Sequence, residues 1–149
     1  MRVHTALRLP RAESLEDPGK IQASEALKER NIEVLDLGTN STDSVDYPDY
    51  AYKLASALRD GQAGRGILVC GTGIGISIAA NRFPEIRAAL VHDAFTAKMC
   101  REHNDANVIC FGGRTTGPGV ALDCLDIFLD TEFGGDRHAR RVGKLSNPA

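Results

Sequence analysis

Residues 66–83 read GILVCGTGIGISIAANRF, and this stretch constrains the fold more than any other part of the chain. The apolar run GILV ends in Cys70, glycines follow at 71, 73 and 75, and the run from Ser77 to Arg82 reads as the start of a helix. Strand, glycine loop and helix in direct succession form the core of a β–α unit. A thiol at the end of a buried strand, beside a loop of backbone N–H groups, can hold an anion and act on it chemically.

The same alternation runs from residue 18 onward. Asp17-Pro18 opens a helix with proline in its first turn, and the pattern continues through IQASEALKER to Asn31. IEVLDLG (32–38) reads as a strand, and Asp46-Tyr47-Pro48 opens a helix that Gly61 stops. GILVC, RAALVH (87–92) and NVICFGG (107–113) are further strands, with Asp93 placed to cap the helix AFTAKMCREH. A helix is expected from about Pro118 to residue 133, and residues 134–149 read as a basic, loop-like tail. Residues 1–17 are atypical: MRVHTALRL is a candidate strand with Val3, Thr5, Leu7 and Leu9 on one face, and PRAESLED reads as a loop.

Short strands alternating with helices predict one domain spanning residues 1–149. Its expected architecture is a Rossmann-like α/β three-layer αβα sandwich around a five-stranded parallel sheet. In such sheets the ligand lies beyond the carboxyl ends of the strands. Those ends supply Gly38-Thr39-Asn40, Cys70 to Gly75, His92-Asp93 and Gly112-Gly113-Arg114, so these loops are expected to converge.

With 149 residues, 42% of them hydrophobic and 26% charged, the chain is long and apolar enough for a globular core. A net charge of −2 argues against a general nucleic-acid binder. No apolar run approaches the roughly 20 residues of a membrane helix, and the N-terminus lacks the apolar region of a secretory signal. The four cysteines, Cys70, Cys100, Cys110 and Cys124, form no Cys-x-x-Cys pair, so no zinc site or redox dithiol is expected. Free thiols in a reducing compartment point to the cytoplasm.

The glycines at 71, 73 and 75 give G-x-G-x-G, not the dinucleotide fingerprint, and no Walker lysine follows. A glycine turn alone serves tight strand–helix packing. After a thiol it can also form an oxyanion hole, with helix-start dipoles favouring the Cys70 thiolate and Thr72 setting a hydroxyl within reach. His103 lies in REHNDAN among Asn104, Asp105 and Asn107. A lone histidine at a helix end is commonly solvated surface, but this polar cluster suits acid–base work. His92 ends a strand on the ligand side, while His4 and His138 carry less context. Arg114 and the tail residues Arg137, Arg140 and Arg141 are either solvated basic surface or phosphate-capturing forks. Arg137 and Arg141 are four apart, so on a helical turn they share one face.

CGTGIGISIAANR, REHNDANVI, FGGRTTG and GGDRHARRVGK occur in this order, together with VLDLGT and VDYPDYA. Over about residues 23–145 the chain thereby resembles ribose-5-phosphate isomerase B. The resemblance implies an aldose–ketose isomerase of the pentose phosphate pathway, interconverting D-ribose 5-phosphate and D-ribulose 5-phosphate through a cis-enediolate. It implies that Cys70 is the base moving a proton between C1 and C2, and that the backbone N–H groups of Gly71, Thr72, Gly73, Ile74 and Gly75 hold the enediolate oxygen. Thr72 and His103 then assist ring opening, with His103 as proton donor. Asn104 binds the sugar, and Arg114, Arg137 and Arg141 bind its hydroxyls and phosphate. No metal or other cofactor is implied. A second subunit completes the site, so a homodimer or a tetramer of dimers follows, with no nucleic-acid or membrane partner. Close relatives act on galactose 6-phosphate or allose 6-phosphate, and the cysteine favours the ribose enzyme over the galactose one. Those substrates, or a sugar-phosphate-binding protein without activity, are the alternatives. The chain departs from the family after its first strand, where an Asp-His-Ala/Gly motif normally stands. No Asp-His occurs anywhere, and an ungapped count puts Glu13-Ser14 there.

Overall fold

A strand apolar at every position is buried on both faces. β3 (Arg65–Cys70), from Gly66 onward, and β5 (Val108–Gly112) are apolar and buried at every position. The computed structural model, which describes residues 2–7, 18–38 and 45–147, pairs them in parallel, with Gly66 opposite Val108 and Cys70 opposite Gly112. Around them lie β1 (Arg2–Leu7), β2 (Glu33–Asp36) and β4 (Ala88–Leu90). Among the described residues the sheet has five strands, all parallel, in the order β2-β1-β3-β5-β4.

Side chains alternate along a strand, so each central strand serves two cores. Ile67, Val69, Ile109 and Phe111 pack with α1 (Pro18–Glu29), α4 (Ala94–Glu102) and α5 (Pro118–Asp130). Leu68, Cys70, Val108 and Cys110 pack with α2 (Tyr47–Arg59) and α3 (Ile74–Ala80). Helices on both faces of a parallel sheet make this a Rossmann-like α/β fold. The last helix, α6 (Asp136–Ser146), buries no residue.

Four boundaries differ from the sequence reading, each for a local reason. Helix α3 begins at Ile74 rather than Ser77, because Gly73 at φ 77° turns the chain directly into the helix. The tail is not loop-like, since Gly135 at φ 63° starts α6, whose short apolar stripe of Ala139, Val142 and Leu145 is masked by the basic residues around it. Strand β4 covers only Ala88–Leu90 of the expected 87–92. Helix α5 stops at Asp130, with Thr131 already extended at ψ 124°. The candidate N-terminal strand forms as β1, between β2 and β3. Residues 8–17, with Glu13-Ser14, and Thr39 and Asn40 lie outside the described residues.

Phe128 is the largest fully buried side chain, and it anchors the α5 face. The guanidinium carbons of Arg65 and Arg101 stand 5.4 Å and 5.7 Å from its ring centroid. Arg65 also donates to the carbonyls of Phe128 and Leu129, at 2.8 Å and 2.7 Å. Truncating this ring removes packing and leaves two cations without their aromatic neighbour. Phe128→Ala is therefore expected to cost about 3–5 kcal/mol, read as a lower midpoint in urea. A loss below about 1 kcal/mol, an ordinary surface value, would show that the ring is not the anchor.

Candidate active site

The carboxyl end of β3 is where the chain order of the sheet reverses, with β1 on one side and β5 on the other. Such a switch point opens a crevice beyond the strand ends. Cys70 is the last residue of β3 and is only 6% exposed. Its sulfur accepts the Gly73 N–H at 3.2 Å. Gly73 achieves this only as glycine: its φ is 77°, and a Cβ would lie 2.9 Å from the Phe111 carbonyl carbon. The Thr72 hydroxyl is exposed and accepts the Ile74 N–H at 3.4 Å.

The loop after β5 locks onto this turn. The Gly113 N–H donates to the Cys70 carbonyl at 2.8 Å, and the Arg114 N–H to the Gly71 carbonyl at 3.0 Å. Gly112 has no room for a side chain, since a Cβ would stand 2.6 Å from the Thr72 carbonyl carbon. Cys70, the turn Gly71–Gly75 and the exposed Arg114 thus share one edge of the sheet. His92, past the end of β4, is exposed on that edge. Asp93 caps α4 as expected, accepting the Thr96 N–H at 2.7 Å, which lowers the Asp93 pKa. The other thiols are core. Burial pushes Cys100 up to about 11 and also raises Cys110 and Cys124.

His103 and Asn104 lie elsewhere. His103 caps the C-terminus of α4, and the loop behind it is held by two arginines. Asp105 sits at φ 46°. Its Oδ1 accepts from Arg101 and its Oδ2 from Arg87, each at 2.8 Å, and its carbonyl accepts from Arg87 at 2.7 Å. Arg101, 6% exposed, donates further to the carbonyls of Ala106 and Thr131. The Gly134 N–H donates to the Glu102 carbonyl at 2.9 Å, which brings the start of α6 to the end of α4. His138 then stacks on His103, ring centroids 4.3 Å apart and planes 9° apart. Partial desolvation holds the His138 pKa below the usual imidazole value, helped by the charges of His103, Arg137 and Arg141 and opposed by Glu102. Arg137 and Arg141 are exposed one turn apart on the same helix.

The sequence-derived residues therefore fall into two clusters. The Gly66 N–H donates to the Asn107 carbonyl at 2.8 Å, so the His103–Asn107 loop meets the beginning of β3. Cys70 lies four residues further along that strand, about 13 Å at the usual rise per residue. Cys70, Thr72, Gly71–Gly75 and Arg114 occupy the carboxyl edge. His103, Asn104, Arg137 and Arg141 occupy the amino edge, and one chain does not bring the two sets together.

Three features escaped the sequence reading. Tyr47 lays its ring against Gly75, where a Cβ would come 2.5 Å from the ring. Its place in VDYPDYA marked only a helix start. Arg101 and Asp105 are ordinary surface types whose (i, i+4) spacing was the available sign of a pair. His138 needed α6 to be recognised as a helix.

A profile of the family described as Ribose/Galactose Isomerase matches residues 18–145. A putative sugar phosphate isomerase of Bacillus subtilis (strain 168) is 50% identical over 127 residues, 85% of each chain. Ribose-5-phosphate isomerase B of Escherichia coli (strain K12) is 47% identical over 120 residues, 80% of each chain. The solved structure of ribose-5-phosphate isomerase B from Clostridium thermocellum matches with TM-score 0.89 and 45% identity, covering 98% of this chain and 95% of that one. The type B ribose 5-phosphate isomerase of Trypanosoma brucei matches with TM-score 0.89 and 42% identity, covering 99% and 98%. Agreement of this extent, in sequence and in fold together, places the chain in the ribose/galactose isomerase family.

Proposed function

We propose that the protein is an aldose–ketose isomerase that interconverts D-ribose 5-phosphate and D-ribulose 5-phosphate. The observation that carries this reading is Cys70, a nearly buried thiol that receives the Gly73 N–H at the floor of a glycine turn. Relatives named ribose-5-phosphate isomerase B support the substrate.

Aldose–ketose exchange needs a base at C2, a donor to C1 and stabilisation of the charge between these steps. The Cys70 thiolate takes the C2 proton as the C1 carbonyl oxygen gains negative charge. The glycine-turn N–H groups stabilise that enediolate oxygen. A proton passes from the C2 hydroxyl to O1, and the Cys70 thiol returns its proton to C1, leaving a ketone at C2. Beforehand, His103 gives a proton to the ring oxygen while the C1 hydroxyl releases its proton to solvent, with Thr72 assisting, and the ring opens to the aldehyde. Asn104 binds the sugar hydroxyls. Arg114, Arg137 and Arg141 suit the phosphate, because guanidinium forks pair with its oxygens.

This chemistry needs both clusters in one site. A second copy meets that need if the carboxyl edge of one chain faces the amino edge of the other. Ile74 and Ile78, 52% and 58% exposed and one turn apart on α3, give the carboxyl edge apolar surface to bury. A homodimer with two shared sites is the simplest assembly, and a tetramer would pair such dimers. The four free, buried thiols fit a reducing cytoplasm.

Cys70→Ala should lower kcat by at least about 100-fold, with ribose 5-phosphate binding retained by calorimetry; a wild-type rate would remove Cys70 from the mechanism. Shared sites give a separate expectation. Cys70→Ala and His103→Asn proteins, each strongly impaired alone, should recover to about a quarter of wild-type activity when subunits are exchanged, because half the dimers carry one intact site. No recovery in demonstrably mixed dimers would place both residues in the same subunit's site.

A further inference from the structure

We propose that His138 is a positioning residue for His103: its ring, stacked face to face on the His103 imidazole, fixes the plane in which His103 presents its proton to the sugar ring oxygen. The inference rests on the reading of His103 as the donor.

His103 needs such a support. It ends α4, and its side chain is 39% exposed. Among the described residues no hydrogen bond engages its ring, and the nearest carboxylate oxygen, Glu102 Oε1, is 3.8 Å from Nε2. The outer torsion of a histidine is broad, so an imidazole without a partner swings. Proton transfer requires the donor within hydrogen-bond reach and correctly aimed. Among the described residues, the His138 ring lies flat against that of His103, 4.3 Å away and within 9° of parallel, and restricts that swing.

The stack is built from both sides. Gly134 donates its N–H to the Glu102 carbonyl, and a Cβ on Gly134 would stand 3.0 Å from that same oxygen. The His138 N–H donates to the Gly135 carbonyl at 2.9 Å, within the turn that starts α6. Arg101 ties Thr131 to the α4 end from beneath. Two segments far apart in sequence are therefore fixed to each other within a few residues of both rings.

Charge acts in the same direction. Two imidazolium rings at stacking distance repel. Arg137 and Arg141 face His138 from its own helix, and Glu102 faces both rings from α4. His138 is the ring held toward neutrality, which eases that repulsion.

The test compares His138→Ala, His138→Phe and His103→Asn in the full-length enzyme with cyclic ribose 5-phosphate. His138→Ala should lower kcat about tenfold or more, within the loss that a misplaced catalytic group produces, while KM stays within about twofold. His138→Phe keeps a flat ring against His103 and should recover most of kcat. Equal kcat losses in His138→Ala and His138→Phe would mean that the imidazole nitrogens of His138 act directly, and would overturn the proposal. A change confined to KM would mean that His138 only supports the α6 arginines, and would overturn it too. If His103→Asn is slow and His138→Ala is not, the stacking inference fails alone. If His103→Asn turns over at the wild-type rate, the donor reading itself has failed.

Discussion

The site depends on the pairing of β3 with β5 continuing past the ends of both strands. Within the sheet the register sets Cys70 against Gly112. Beyond it, Gly113 and Arg114 donate to the carbonyls of Cys70 and Gly71, so the two loops become one surface. That surface is possible only because three glycines leave space. Gly73 takes a left-handed turn, Gly75 accepts the Tyr47 ring, and Gly112 lies against the Thr72 backbone. The thiol thereby sits at the base of a fixed backbone turn, with the Gly73 N–H on its sulfur. A rigid backbone cradle costs little reorganisation when charge develops beside it, which is what stabilising a transient oxyanion requires.

A different kind of interaction supports the opposite edge. There the chain relies on arginine, not glycine. Arg101 is almost fully buried, and desolvating a guanidinium is costly unless its donors are matched. Three carbonyl or carboxylate partners and a nearby aromatic face meet that demand. The gain lies less in stability than in geometry. Asp105, held by Arg101 and Arg87 at a backbone conformation unusual for a non-glycine residue, defines the path of the loop that carries His103 and Asn104. The same arginine reaches Thr131, just before the turn into α6. One buried side chain thus relates the His103 loop to the helix bearing Arg137 and Arg141.

Much of this was legible in the sequence because it rests on periodicity. Strands apolar on both faces, helices with a buried stripe, and a glycine turn after GILVC all leave local marks. Asp93 as the α4 cap was equally readable, since capping is a short-range rule. What escaped has no local mark. α6 buries nothing within the chain, and its apolar stripe is only Ala139, Val142 and Leu145 set among basic residues, so it reads as a charged tail. The contact of Tyr47 with Gly75 joins residues 28 apart in the sequence, and the His103–His138 stack joins residues 35 apart. Such contacts come from tertiary packing and from left-handed turns at Gly73 and Gly135, where the chain changes direction within one residue.

The division of the candidate residues between two edges follows from the fold itself. In a parallel sheet every strand ends at one edge, and every returning helix ends at the other. Residues placed after strands, such as Cys70 and Arg114, collect at the first. Residues placed after helices, such as His103 and Asn104, collect at the second, and the basic helix α6 is fastened beside them. A single copy of this topology cannot bring a strand-end thiol to a helix-end imidazole without breaking the sheet. Two copies related by a two-fold axis can do so twice over, each lending its amino edge to the other's crevice. In that arrangement the exposed isoleucines of α3 and the unburied helix α6 gain the partner surface that the isolated chain does not give them. On the proposed reading activity is tied to assembly, because a separated subunit keeps the proposed base, Cys70, but lacks the proposed donor, His103, beside it.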